Sequence, residues 1–217
     1  MKIFLRIQII LLNMRIKFIL APDFLPRTKF SLPPMGIATL TSVLRKKGYY
    51  VEQDDLDIKT RDIDLSLFTN NDLVQDYLLK NQSSKKLRNL IKKILCRTKI
   101  KDFNLIGISV VEPSHLMPGL AIGKFIKENF NTKILLGGRV GVNSELMKYD
   151  FVDYVLQGDS SESILKFIHF LEKKIEAKQV PGLSYRKKGS VKSNSIELPD
   201  INHISEPDFK GLPLEYY

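Results

Sequence analysis

The sequence predicts a doubly wound parallel α/β domain, and three observations carry that prediction. Its apolar runs are short and do not alternate: IKFILA (16–21), NLIGISVV (104–111) and KILLGG (133–138) read as strands buried on both faces. Most are separated by a dozen or more residues with helical periodicity, the length a parallel crossover needs. Pro or Gly closes them, at Pro22, Gly138 and Gly158.

Taken in order, the strand at 16–21 leads into the loop PDFLPRTKFSLPP. The spacing of Ile37, Leu40, Thr41 and Leu44 then predicts a helix over 35–47, stopped at Gly48. A second strand, 49–56, runs into the acids Asp54, Asp55 and Asp57. Residues 60–100 form a helical insertion, in which Leu87, Leu90, Ile91, Ile94 and Leu95 repeat at helical spacing with Lys85, Lys86, Arg88, Lys92, Lys93 and Arg97 between them. After the strand at 104–111 come a helix at 118–130, a strand at 133–138, a short helix at 144–149, a strand at 152–158 and a helix at 161–173. Right-handed crossovers then give a five-stranded sheet of order 2-1-3-4-5, the flavodoxin-like arrangement. VPGLSYRKKGSVKSN, with its Lys-Lys-Gly turn, is a C-terminal β-hairpin. The expected organisation is an extension at 1–13, the α/β domain at 14–178, and the hairpin with a Pro- and acid-rich linker at 179–217.

Composition narrows the classes. With 217 residues and 43% hydrophobic content, the chain can build one ordinary core. The net charge of +10 is local, since residues 85–101 hold eight Lys or Arg and no acid. The bland reading of that segment packs the apolar stripe on the sheet and leaves the lysines in water; the alternative is a phosphate-bearing partner, nucleic acid or lipid. A single cysteine, Cys96, excludes an internal disulfide and a cluster held by several thiolates of this chain, and suits the cytoplasm. The uncharged run from Ile7 to Met14 is too short to span a bilayer. Met14 is an alternative start.

In such a sheet, ligands lie beyond the carboxyl ends of the strands, where helix amino termini converge. That edge comprises the loop 22–34, Asp55 and Asp57, the segment 109–114, the turn 137–141 and the turn 158–161. Each feature also has a plain structural reading. Tight turns need glycine, Ser109 can satisfy a backbone group, and Asp159, Ser160, Ser161 and Glu162 suit a helix start. His115, His169 and His203 lack metal-ligand spacing.

The strings LPPMGIATLTSVLRKKGYYVEQDDLDI, NLIGISVVEPSH, KILLGGRV, VDYVLQGDSSESILKFI, VPGLSYRKKGSV and PDFKGLPLEYY resemble, in order and spacing over 16–217, the amino-terminal cobalamin-binding module of the cobalamin-dependent radical S-adenosylmethionine enzymes. The resemblance implies a cobalamin site at Pro33, Pro34 and Gly36, at Ser109, at Gly137 and Gly138, and at Gly158 with Asp159. Their edge neighbours Asp57, Val110, Glu112 and Arg139 complete the expected set. The family's Gly-Glu-Gly-Glu turn is here Gly158-Asp159-Ser160-Ser161, and Val140 stands where histidine is usual. The Asp-x-His-x-x-Gly motif of the mutases is absent, which implies base-off binding without a protein imidazole. The Cys-x-x-x-Cys-x-x-Cys motif is also absent, so the iron–sulfur cluster and the catalysis are expected from a radical S-adenosylmethionine domain or partner protein. Two other readings are a nucleotide or sugar-phosphate enzyme using Asp55 or Asp57, and a basic interaction protein acting through 85–101.

Overall fold

Alternation along the first strand, β1 (Arg15–Leu20), sorts the core into two halves, because successive side chains leave opposite faces of a sheet. Ile16, Phe18 and Leu20 join one buried cluster, and Ile19 joins the other. The computed structural model describes residues 14–25, 32–80, 84–139, 141–158, 160–197 and 205–217. The extension at 1–13, Val140, Asp159 and His203 lie outside them.

The remaining elements are α1 (Met35–Lys46), β2 (Tyr50–Asp55), α2 (Asn71–Lys80), α3 (Lys85–Leu95), β3 (Leu105–Val110), α4 (Leu116–Asn129), β4 (Lys133–Gly138), β5 (Tyr154–Leu156), α5 (Ser160–Leu171), β6 (Leu183–Lys187) and β7 (Ser190–Ser193). A single helical turn, Leu56–Lys59, follows β2, and the expected short helix near 144 is the 3₁₀ segment Ser144–Lys148.

The sheet has seven strands in the order β2-β1-β3-β4-β5-β6-β7, which corrects the five-stranded sheet expected. β1 to β5 are parallel; β6 runs antiparallel to β5, and β7 to β6. The reason is the short β5, whose outer edge would otherwise present unpaired backbone groups. The hairpin covers that edge and buries Leu183 and Ser184. Its turn, Lys188-Gly189, has φ of 50° and 79°, the positive values that a two-residue hairpin loop needs.

α1 and α5 cover one face, where Ile37, Leu44, Ile164, Phe167 and Ile168 meet Phe18, Leu105 and Leu135. α2, α3 and α4 cover the other, through Tyr77, Leu87, Ile91, Ile94, Leu120 and Ile126 against Ile106, Ile108 and Ile134. The amphipathic stripe of the insertion is therefore core. Each such side chain contributes about 1.5–3 kcal/mol on burial.

Residues 205–217 follow the outer edge of the sheet. Arg45 donates from Nη1 to Asp208 Oδ2 at 2.8 Å and from Nη2 to Val51 O at 2.8 Å. The Gln53 amide donates to Asp208 O and Lys210 O, Leu212 is buried, and Tyr217 donates to Asp55 Oδ2 at 2.7 Å.

One charge lies deep in this frame. Lys17, 2% exposed, places Nζ 2.7 Å from Asp54 Oδ2 and 3.2 Å from Glu52 Oε2. Lys59 and Thr98 also donate to Asp54. Burial alone would raise the Asp54 carboxyl, but the Lys17 charge and the hydrogen bonds from Lys17, Lys59 and Thr98 outweigh it and hold it below the ordinary value.

Asp54→Asn, which leaves Lys17 buried beside the half-exposed Glu52 alone, is expected to cost about 3 kcal/mol in urea denaturation. Because the folded carboxyl is the more acidic, its contribution is complete above the unfolded value and is lost as pH falls through the lower, folded one. Wild-type stability should therefore drop below about pH 4, and the Asn variant should lose that part of the slope.

Candidate functional site

Cross-strand register lays out the floor of the site. Leu20, Ser109, Gly137 and Leu156 stand side by side across β1, β3, β4 and β5, and Phe18, Gly107, Leu135 and Tyr154 form the row beneath. Both rows sit on the α1/α5 face. Large side chains flank small ones in the upper row, so the sheet itself forms a trough under Ile37 and Leu40 of α1 and Ser161 of α5. Gly107 extends it downward: a Cβ there would lie 2.6 Å from Phe18 Cδ1, so the Phe18 ring rests where a side chain would be.

The trough opens into a cavity of about 1340 Å³ at the carboxyl edge. That exceeds the roughly 300–1,000 Å³ of ordinary small-molecule pockets. Its upper wall includes Asp23, Pro33, Pro34, Glu112, His115, Gly138, Arg139 and Gly158.

The glycines divide into two kinds. Gly138 has φ of 141°, and a Cβ would meet Val110 O at 1.9 Å; Gly158 has φ of 81°. Their backbones require glycine. Gly36 has no heavy atom within 4 Å of a Cβ position, and Gly137 would meet only Leu156 O at 3.6 Å, an ordinary contact. The fold does not need glycine at 36 or 137. What glycine does there is keep the cavity wide.

Polar groups fix the loops around the mouth. His115 is buried, and its Nδ1 accepts the Val111 and Glu112 amide N–H groups, each at 3.2 Å, while Nε2 faces Asp23 Oδ2 at 3.9 Å. With Nδ1 as acceptor, the neutral ring carries its proton on Nε2. Glu112 caps the turn Pro113–His115 with its side chain. Asp57 Oδ1 accepts from Asp23 N at 2.9 Å, which ties the loop after β1 to the turn after β2.

Nine of the expected residues meet at the cavity: Pro33, Pro34, Gly36, Ser109, Glu112, Gly137, Gly138, Arg139 and Gly158. Asp57 stands behind the wall, and Val110 points its side chain into the α4 side of the core while its carbonyl accepts Arg139 N at 2.9 Å. Asp159 lies outside the described residues. Sequence reasoning missed Phe18, Leu20, Gly107, Leu135 and Leu156. Applying the two-residue period of a strand to Ser109 and Gly137 finds Gly107 and Leu135 on the same face, whereas Phe18, Leu20 and Leu156 join them only through cross-strand register.

No family model matches the chain. An uncharacterized methyltransferase of Pyrococcus horikoshii is 25% identical over 192 residues, covering 85% of this chain and 35% of that protein. Among solved structures, the chain resembles the cobalamin-dependent S-adenosylmethionine radical enzyme OxsB with aqua-cobalamin and S-adenosylmethionine bound (TM-score 0.58, 17% identity, 91% of this chain, 24% of that one). It also resembles the radical S-adenosylmethionine methyltransferase TsrM of Kitasatospora setae with cobalamin and a [4Fe-4S] cluster bound (TM-score 0.55, 15% identity, 89% and 31%). At these identities the structures speak for the fold. The chain spans about a third of the methyltransferase and a quarter to a third of the two enzymes. No helix among the described residues is long and apolar enough to cross a membrane.

The two kinds of glycine should separate on denaturation. Gly36→Ala is expected to stabilise by about 0.5 kcal/mol, because alanine restricts the unfolded chain and fits the helix. Gly138→Ala should cost about 3 kcal/mol or more, since its Cβ has no room against Val110 O.

Proposed function

We propose that this chain is a cobalamin-binding module of the kind that serves radical S-adenosylmethionine enzymes. The observation that carries the reading is the pair Gly36 and Gly137, glycines that the backbone does not require and that widen a cavity already larger than ordinary ligands need. The trough floored by Ser109 and Gly137 would take the nucleotide tail, a flat group with polar edges. Pro33, Pro34, Glu112, Gly138, Arg139 and Gly158 would border the corrin, with Arg139 the cation nearest at hand for the tail's phosphate. Val110 supports this set through the backbone, Asp57 does so by holding the β1 loop, and Asp159 belongs to the turn after β5.

His115 is spent on its own loop, both backbone N–H groups at Nδ1 and Asp23 beside Nε2, which supports binding with no protein imidazole on cobalt, and a tail drawn into the trough would make that binding base-off. When bound, cobalamin supplies organometallic cobalt chemistry that no side chain can. A radical S-adenosylmethionine domain, on a longer chain or a partner protein in the cytoplasm, would put it to use and would hold the iron–sulfur cluster. In this reading residues 14–178 form the body of the module, the 183–193 hairpin extends its sheet, and the rest of 179–217 leads toward the catalytic half. The sugar-phosphate alternative finds less support: Asp55 caps Ile58 N and accepts Tyr217, Asp57 holds Asp23 N, and neither lines the cavity.

Anaerobic titration with hydroxocobalamin and methylcobalamin, followed by gel filtration and the visible spectrum of the protein peak, tests the proposal. Co-eluting cobalamin is expected from the wild type and at least about tenfold weaker binding from Gly137→Leu, whose side chain fills the trough. The same variant should melt close to the wild type. Cobalamin that fails to co-elute with the folded chain would refute the module. His115→Gln should leave the spectrum of bound cobalamin unchanged, whereas a shifted spectrum would mean that an imidazole ligates cobalt.

A further inference from the structure

The polar face of α3 takes no part in the cavity. Leu87, Ile91 and Ile94 are fully buried, so the apolar side of this helix is wholly committed to the core. Its outer side presents Lys85, Lys86, Lys92 and Lys93, all exposed, and the exposed Lys99 and Lys101 follow. Arg88 pairs with Glu128 at 3.0 Å and Arg97 with Asp62 at 2.5 Å. Lys93 lies in the field of Asp64, and Lys99 in that of Glu52. Among the described residues, Lys85, Lys86 and Lys92 form no ion pair.

We infer that this face docks a nucleic-acid backbone through lysine–phosphate contacts. Lys85 and Lys92 stand two turns apart, about 10.5 Å along the axis, with Lys86 beside them, so the charges form a stripe that successive phosphates of one polymer can follow. A lipid surface fits less well. Interfacial helices insert an apolar face, and the apolar face of α3 is already inside the protein. Between the lysines lie Asn89 and Cys96, with no exposed aromatic to stack a base, so the contact reads charge and not sequence.

The test is fluorescence anisotropy with a labelled single-stranded RNA of about 20 nucleotides, long enough to cover the stripe. If three phosphates are engaged, affinity should fall roughly 20-fold between about 50 and 200 mM KCl. Lys85→Glu/Lys86→Glu/Lys92→Glu should weaken binding by about tenfold or more at the lower salt. Lys187→Glu/Lys188→Glu/Lys192→Glu changes net charge equally on the exposed hairpin and should bind nearly as the wild type does. Circular dichroism and cobalamin retention, which depend on other faces, should be unchanged in both. Equal losses in the two variants would overturn the inference in favour of net charge alone. So would an absence of RNA binding, with or without binding to phosphatidylglycerol vesicles; vesicle binding alone would assign the face to a membrane.

Discussion

The site exists because the chain leaves β1 and β3 in opposite directions. After β1 it crosses to α1 on one face, and after β3 it crosses to α4 on the other. Adjacent parallel strands whose connections part in this way leave a crevice between those connections at their carboxyl ends. Right-handed crossovers fix the outcome: the step from β1 to β2 and the step from β3 to β4 run in opposite directions across the sheet, so the two helices must lie on opposite faces. Everything proposed for the cavity follows from that parting.

The crevice is then shaped by what is missing from the strands. Gly107 admits the Phe18 ring, and Ser109 with Gly137 lowers the centre of the floor between Leu20 and Leu156. Small residues in strand interiors forgo packing energy and favour a looser unfolded chain. Their concentration on one face, at one end, is what gives the crevice its depth. The walls are held by short-range bonds instead of packing: Asp57 on Asp23, His115 on the amides of Val111 and Glu112, and Arg139 N on Val110 O.

At the opposite end of the sheet order, β2 is guarded by charge and by the C-terminal segment. Lys17 and Asp54 are buried as a pair, with Lys59, Thr98 and Glu52 completing their contacts, while Arg45 and Gln53 tie residues 208–210 along the open edge. A buried cation in a strand is tolerable only with such partners. The arrangement protects an edge strand that would otherwise invite pairing with another chain.

Much of this was legible in the sequence, for a definite reason. Unbroken apolar runs such as IKFILA and KILLGG, spaced by helical stripes, report burial on both faces and so specify a parallel α/β sheet, and Pro and Gly mark its carboxyl edge. Motif reading reached Pro33, Pro34, Gly36, Ser109, Gly137 and Gly158 because they stand at strand and helix ends. Other features needed the folded chain. The hairpin's attachment to β5 depends on which edge lies open, and the 205–217 segment's course along β2 depends on partners more than 150 residues away in sequence, Asp208 with Gln53 among them. The trough depends on register, since Leu20, Ser109, Gly137 and Leu156 become neighbours only once four strands align. Local pattern records what each residue prefers; only tertiary pairing decides which residues share a wall.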